Sequence, residues 1–158
     1  MNEPIMREAT APQEERFLAG IGHALIVANF VGAIGAAVIY ALYKDKSRFV
    51  AFQAAQAAVY QIVGVIISIA SWGYWGVVYT LSLVPLIAEP DRYAEPPAFF
   101  WLGLLSVIVP LAIMGLLVVY GLWGAVRAFQ GGQFRYLLVG RWIERLFSGG
   151  TEAEGTCD

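Results

Sequence analysis

Few side chains in the apolar stretches of this sequence could carry chemistry. His23 is the only histidine and Cys157 the only cysteine. A metal site needs three or four ligands drawn from His, Cys and carboxylates, and His23 has no such companions at ligand spacing. Its place near one end of an apolar run suits a hydrogen-bonded, interfacial histidine. Asn29, six residues on and off the face of His23, reads as an interhelical hydrogen-bond partner. Gln53, Gln56 and Gln61 either line a polar path or bond to one another and the adjoining loop. His23, Asn29, Gln56 and Gln61 are the polar intramembrane candidates. No nucleophile–base pair, phosphate-cradling loop or HExxH motif is present, so neither an enzyme nor a cofactor is expected.

The elements that must position these residues belong to a membrane. Of 158 residues, 59% are apolar and 14% charged, with mean hydropathy +0.65. Soluble domains carry roughly 45–50% and about 25%. All 12 carboxylates and all 10 Lys and Arg lie outside three long apolar stretches, residues 17–43, 49–88 and 96–126. Soluble enzymes, disulfide scaffolds and nucleic-acid binders are excluded together. A net charge of −2 creates no field for polyanions. Cys157 is misplaced for prenylation, which needs a cysteine fourth from the end.

About 20 apolar residues cross a hydrocarbon core of roughly 30 Å, and backbone in lipid must satisfy itself. The expected fold is an all-α polytopic bundle forming one domain over residues 17–147. Its spans are placed near 17–43, 57–75 and 99–126, with an interfacial or re-entrant segment after the second as far as Ala88. A rival reading has four spans, hinged at Ser71–Gly76. Residues 1–16 read as a solvated arm and 148–158 as a flexible tail. Within residues 137–147, Arg141 and Arg145 share one helical face opposite Trp142 and Leu146, the pattern of an interfacial helix whose arginines face headgroups. With three spans, Lys and Arg divide seven against three, which puts residues 44–48 and the C-terminus in the cytoplasm and the N-terminus outside. The location expected is the bacterial cytoplasmic membrane.

Helices in lipid associate through close packing. Gly20, Ala24, Ala28, Gly32 and Ala36 recur every fourth residue and predict a smooth packing stripe along the first span. Pro110 removes a donor midway along the third span, where a kink is expected.

Three stretches carry a resemblance. Glu15-Arg16 with His23; Lys44-Asp45-Lys46-Ser47 followed by Phe49 and Gln56; and Arg127, Gly131, Arg135-Tyr136 and Arg141 together resemble a bacterial family of small membrane proteins. That family is related to the Tic-twenty translocon component of the chloroplast inner envelope. The sequence departs from its pattern at Arg48, Gln53 and Leu137, and in an insertion over residues 88–97. Histidine is common at the Gln53 position, so a paired-histidine site is not expected. The resemblance implies a compact helical membrane domain.

Two functions follow as expectations. The first is a non-enzymatic accessory or scaffold subunit of a larger membrane assembly, whose partners are lipid and other membrane proteins or copies of itself, with no nucleic acid. The second, implied by the resemblance, is a translocation or permeation component, for which Asn29, Gln56, Gln61 and Ser68 would have to converge.

Overall fold

Glu15 and Ser47 lie at opposite ends of the first apolar run, yet the Ser47 hydroxyl donates to the Glu15 carboxylate at 2.8 Å. That bond, found in a computed structural model describing residues 11–132 and 134–136, excludes a straight crossing by residues 17–43. The run is instead three pieces: helix α1 (Gln13–Ala24), a 3-10 turn (Leu25–Ala28) and helix α2 (Phe30–Tyr43). Asn29 breaks it, with φ 51°. Asparagine is among the residues that tolerate positive φ. The turn satisfies its own backbone, since Asn29 N–H donates to Ile26 O at 3.0 Å and Ala33 N–H to Asn29 O at 3.3 Å. At 1.5 Å per residue, α1 and α2 are about 18 and 21 Å long, each short of a ~30 Å core. They pack on each other instead.

The expected arm also shortens, because α1 already starts at Gln13. Glu14 and Glu15 occupy its first turn, where carboxylates complement the positive helix end. Asn29 itself is exposed on the turn, so its role is in the backbone and not in an interhelical bond. Asn29→Gly should leave thermal stability in detergent unchanged or raised by up to about 1 kcal/mol, whereas Asn29→Val should lower it by about 1–3 kcal/mol. Equal melting temperatures for the two variants would contradict the strained turn.

Helix α3 (Arg48–Ala88) is continuous over 41 residues, about 60 Å. Neither the interfacial segment before Ala88 nor the hinge at Ser71–Gly76 interrupts it. Gly73 and Gly76 have no close neighbours that would force a bend, and the helix runs on through Pro85, which has no N–H for the Leu81 carbonyl. Ser47 caps its start by accepting Val50 N–H at 3.3 Å. Ser47→Ala removes the cap and the Glu15 contact, and should cost about 1–2 kcal/mol in a denaturant titration.

The last apolar stretch is α4 (Ala98–Leu105) followed by α5 (Ile108–Phe129). The break falls at Ser106–Val107, which places Pro110 in the first turn of α5, where a missing N–H costs little. Val109 N–H takes the Ser106 carbonyl that Pro110 leaves free, at 3.0 Å. Only α3 and the stretch Ala98–Phe129 are long and apolar enough to cross a membrane among the described residues, so three spans are not what the structure supports.

The chain divides into two compact units, one built from residues up to Ile62 and from Val119 onward, the other from Val63–Val118. The second unit is an apolar helix pair. Gly103 approaches Ser82 so closely that a methyl group there would collide with its side chain. Trp72 Nε1 donates to Met114 Sδ at 3.2 Å, and Trp75 stacks on Tyr79 at 5.3 Å. The first unit has a core of alanines, among them Ala19, Ala36, Ala54, Ala57, Ala125 and Ala128. Small residues let backbones approach, and Gly22 faces Ala54 and Ala57 across α1 and α3. The expected stripe is split by the turn at Asn29. Gly20, Gly32 and Ala36 are buried, Ala24 is half-buried and Ala28 is exposed. The expected helix within 137–147, the tail at 148–158, Arg141 and Arg145 lie outside the described residues.

Candidate functional site

The polar residues of the first unit meet in its core. His23 on α1 is fully buried, as are Gln53 and Gln56 on the first turns of α3. His23 Nε2 lies 3.0 Å from Gln53 Oε1. An amide oxygen only accepts, so with the amide in this orientation Nε2 carries the proton. His23 Nδ1, 2.9 Å from the Tyr136 hydroxyl, is then the acceptor and Tyr136 the donor. Gln53 thus fills, with an amide, the position where the resemblance anticipates a second imidazole.

Gln56 works on backbone. Its Nε2 donates to Phe134 O at 3.3 Å, and its Oε1 accepts Tyr136 N–H at 3.2 Å. One side chain therefore replaces the strand partner that residues 134–136 would otherwise need. Gln61, also buried, donates from Nε2 to Gly22 O at 2.8 Å, tying α3 to α1.

Aromatic rings close the cluster. Tyr136 stacks on Tyr60 with centroids 4.0 Å apart and planes 9° apart. Tyr120 meets Tyr136 edge-on at 5.4 Å, and Phe134 meets His23 edge-on at 5.9 Å. Burial, reinforced by Tyr60 and Tyr120, pushes the Tyr136 phenol up, which keeps it a proton donor. On α5, Gly124 makes room for Phe134 and Tyr136, and Gly121 for Ile26. Gly121, Gly124, Ala125 and Ala128 are a second small-residue face, spaced three and four apart, that the sequence reading passed over.

Chemically, this is a latch holding the segment after α5 onto α1 and α3. Among the described residues no carboxylate or cation bonds to His23, and no group of three or more His, Cys, Asp or Glu could hold a metal ion. The residues quoted for the resemblance occupy mixed positions. Ser47 caps α3, and Gln56 and Tyr136 form the latch. Phe49 is half-buried, and Lys44, Asp45, Lys46 and Arg135 are exposed. The residues named for a polar path do not form one in this unit, since Gln56 and Gln61 are bonded to backbone and Asn29 is exposed.

Residues 14–143 match the magnetosome magnetite crystal formation protein family (MamF/MmsF). The chain belongs to that family. No curated protein and no solved structure matches it. The match overturns the resemblance to the Tic-related family, and the translocation reading loses its support with it. The physical reason lies in the residues that carried the resemblance. Several of them, Ser47, Gln56 and Tyr136 above all, hold the fold together, and a shared fold does not carry an activity. The family is described by magnetite crystal formation, and two helices of this chain are long and apolar enough to cross a membrane.

Proposed function

We propose that the chain is a non-enzymatic accessory subunit of the membrane machinery that forms magnetite crystals, acting through surfaces it offers to lipid and to other membrane proteins. The disposition of its polar groups carries this reading. His23 and Gln56 use both ends of their side chains inside the fold, and Gln53 and Gln61 one end each, Gln53 Nε2 and Gln61 Oε1 being buried without a partner among the described residues. Its long helices meanwhile present Ile66, Ile69, Tyr74, Leu102, Leu116 and Val119 outward. Groups committed to holding a fold do not serve a moving substrate, whereas exposed apolar helices in a membrane have lipid or helices as neighbours.

The test is removal of the gene from a magnetite-forming cell, with electron microscopy of crystals and of the surrounding membranes. An accessory role predicts crystals altered in size or number inside intact membranes, restored by the wild-type gene. Normal crystals would overturn the reading. Native mass spectrometry of the protein extracted in mild detergent should find other membrane proteins at fixed stoichiometry, and a bare monomer would count against a subunit.

A further inference from the structure

We infer that the chain crosses the membrane twice, with its first apolar run a re-entrant hairpin, so that one basic surface built by both halves of the sequence faces the anionic headgroups of the cytoplasmic leaflet. The inference rests on the membrane location and not on the accessory role.

The contact between Glu15 and Ser47 carries it. A run whose two ends touch returns the chain to the side it left. The exposed Phe30, Val31, Ile34 and Val38 of α2 suit burial in hydrocarbon, and the turn at Asn29 has the paired backbone that membrane depth demands. The crossings left are α3 and the stretch Ala98–Phe129, an even number.

This changes the charge count. Of the seven Lys and Arg among the described residues, Arg92 alone lies between the two crossings, and Arg16, Lys44, Lys46, Arg48, Arg127 and Arg135 lie on the other side. Six against one is a strong positive-inside asymmetry. The described cations on that side belong to neighbouring elements. Lys44, Lys46 and Arg48 flank Ser47, and Ser47 holds Glu15. The side chain of Arg16 lies against the Gly131 turn, just beyond Arg127. The carboxylates among them are Glu14, Glu15 and Asp45, fewer than the cations.

Two aromatic–cation pairs occur where chain ends should leave hydrocarbon. Lys46 sits 5.6 Å from the Tyr43 ring and Arg127 5.4 Å from the Trp123 ring. Tyr and Trp favour the headgroup level, and basic side chains extend past them to phosphates.

The experiment uses the full chain in its native membrane and a membrane-impermeant thiol reagent. Cys157 is one probe. In a Cys157→Ser background, Gln13→Cys, Lys46→Cys and Asp91→Cys are the others, all at exposed positions, with Lys46→Cys giving up its contact with the Tyr43 ring. Expected is labelling of Cys157, Gln13→Cys and Lys46→Cys from the cytoplasmic side only, and of Asp91→Cys from the opposite side only. Gln13→Cys and Lys46→Cys on opposite sides would overturn the hairpin. All four on one side would overturn the crossings, and a reversed pattern would overturn the cytoplasmic assignment. Labelling reads topology whether or not crystals change, so its failure is distinct from failure of the accessory role. In nanodiscs, phosphatidylglycerol should raise the melting temperature above that in phosphatidylcholine, and Lys44→Gln/Lys46→Gln/Arg48→Gln should remove the difference. Equal melting temperatures for the wild type in both lipids would overturn the headgroup contact.

Discussion

Gly32→Ala should unfold the hairpin, lowering stability by about 3 kcal/mol or more in a detergent-based unfolding titration. A methyl group at Gly32 would collide with the Leu25 carbonyl and come within 2.8 Å of Gln61 Oε1. The carbonyl belongs to the 3-10 turn, which cannot yield without disturbing Asn29. Gln61 cannot yield without surrendering its bond to Gly22 O. Helix propensity pulls the other way, since alanine in an open helical site gains about 1 kcal/mol over glycine. The two effects separate cleanly by comparison with α3. Gly73→Ala and Gly76→Ala add a methyl into open space and should stabilise by about 0.5–1 kcal/mol. If Gly32→Ala is neutral or stabilising, α1 and α2 do not meet at this turn, and the two-crossing topology loses its main support.

That same turn marks the limit of what the sequence made legible. Placing all charges outside three apolar stretches was enough to identify helices in a membrane, because the cost of burying a charge in hydrocarbon admits few alternatives. An apolar run of 27 residues, 17–43, is equally compatible with a crossing and with a hairpin, since lipid accepts both when the backbone is satisfied. The signal lies in Asn29, a residue tolerant of positive φ followed three positions later by a glycine, although its amide suits an interhelical hydrogen bond equally well. The small-residue stripe failed with it, because a period of four has meaning only along one unbroken helix. The continuity of α3 through Gly73 and Gly76 was hidden for the opposite reason. Aromatic residues there suggest an interface, yet Trp72 reaches across to Met114, Trp75 stacks on Tyr79 one turn further along α3, and Tyr74 faces outward, so they do not mark a break in the helix.

The site was legible residue by residue, not as an arrangement. His23, Gln53, Gln56 and Gln61 stood out as polar groups in apolar surroundings. Nothing in local spacing could pair His23 with a tyrosine 113 positions away. The segment at 134–136 has no helix of its own, and its anchoring becomes visible only once α1, α3 and α5 are brought together.

The second large effect concerns that anchoring. Gln56→Leu keeps the volume and strips both bonds to residues 134–136, leaving the Phe134 carbonyl and the buried Tyr136 N–H without partners. Each buried group left unpaired costs about 1–3 kcal/mol, so a loss near 3 kcal/mol is expected. Tyr136→Phe keeps the stack on Tyr60 and removes only the hydroxyl, leaving His23 Nδ1 unpaired for about 1–3 kcal/mol. The informative quantity is their combination. If both side chains hold one segment, releasing it with Gln56→Leu already breaks the His23–Tyr136 bond, and the second substitution then costs little. The double variant should fall short of the sum of the singles by about 1 kcal/mol or more. Additivity within about 0.5 kcal/mol would mean that Gln56 and Tyr136 act independently, and that the segment after α5 is held by its aromatic packing alone.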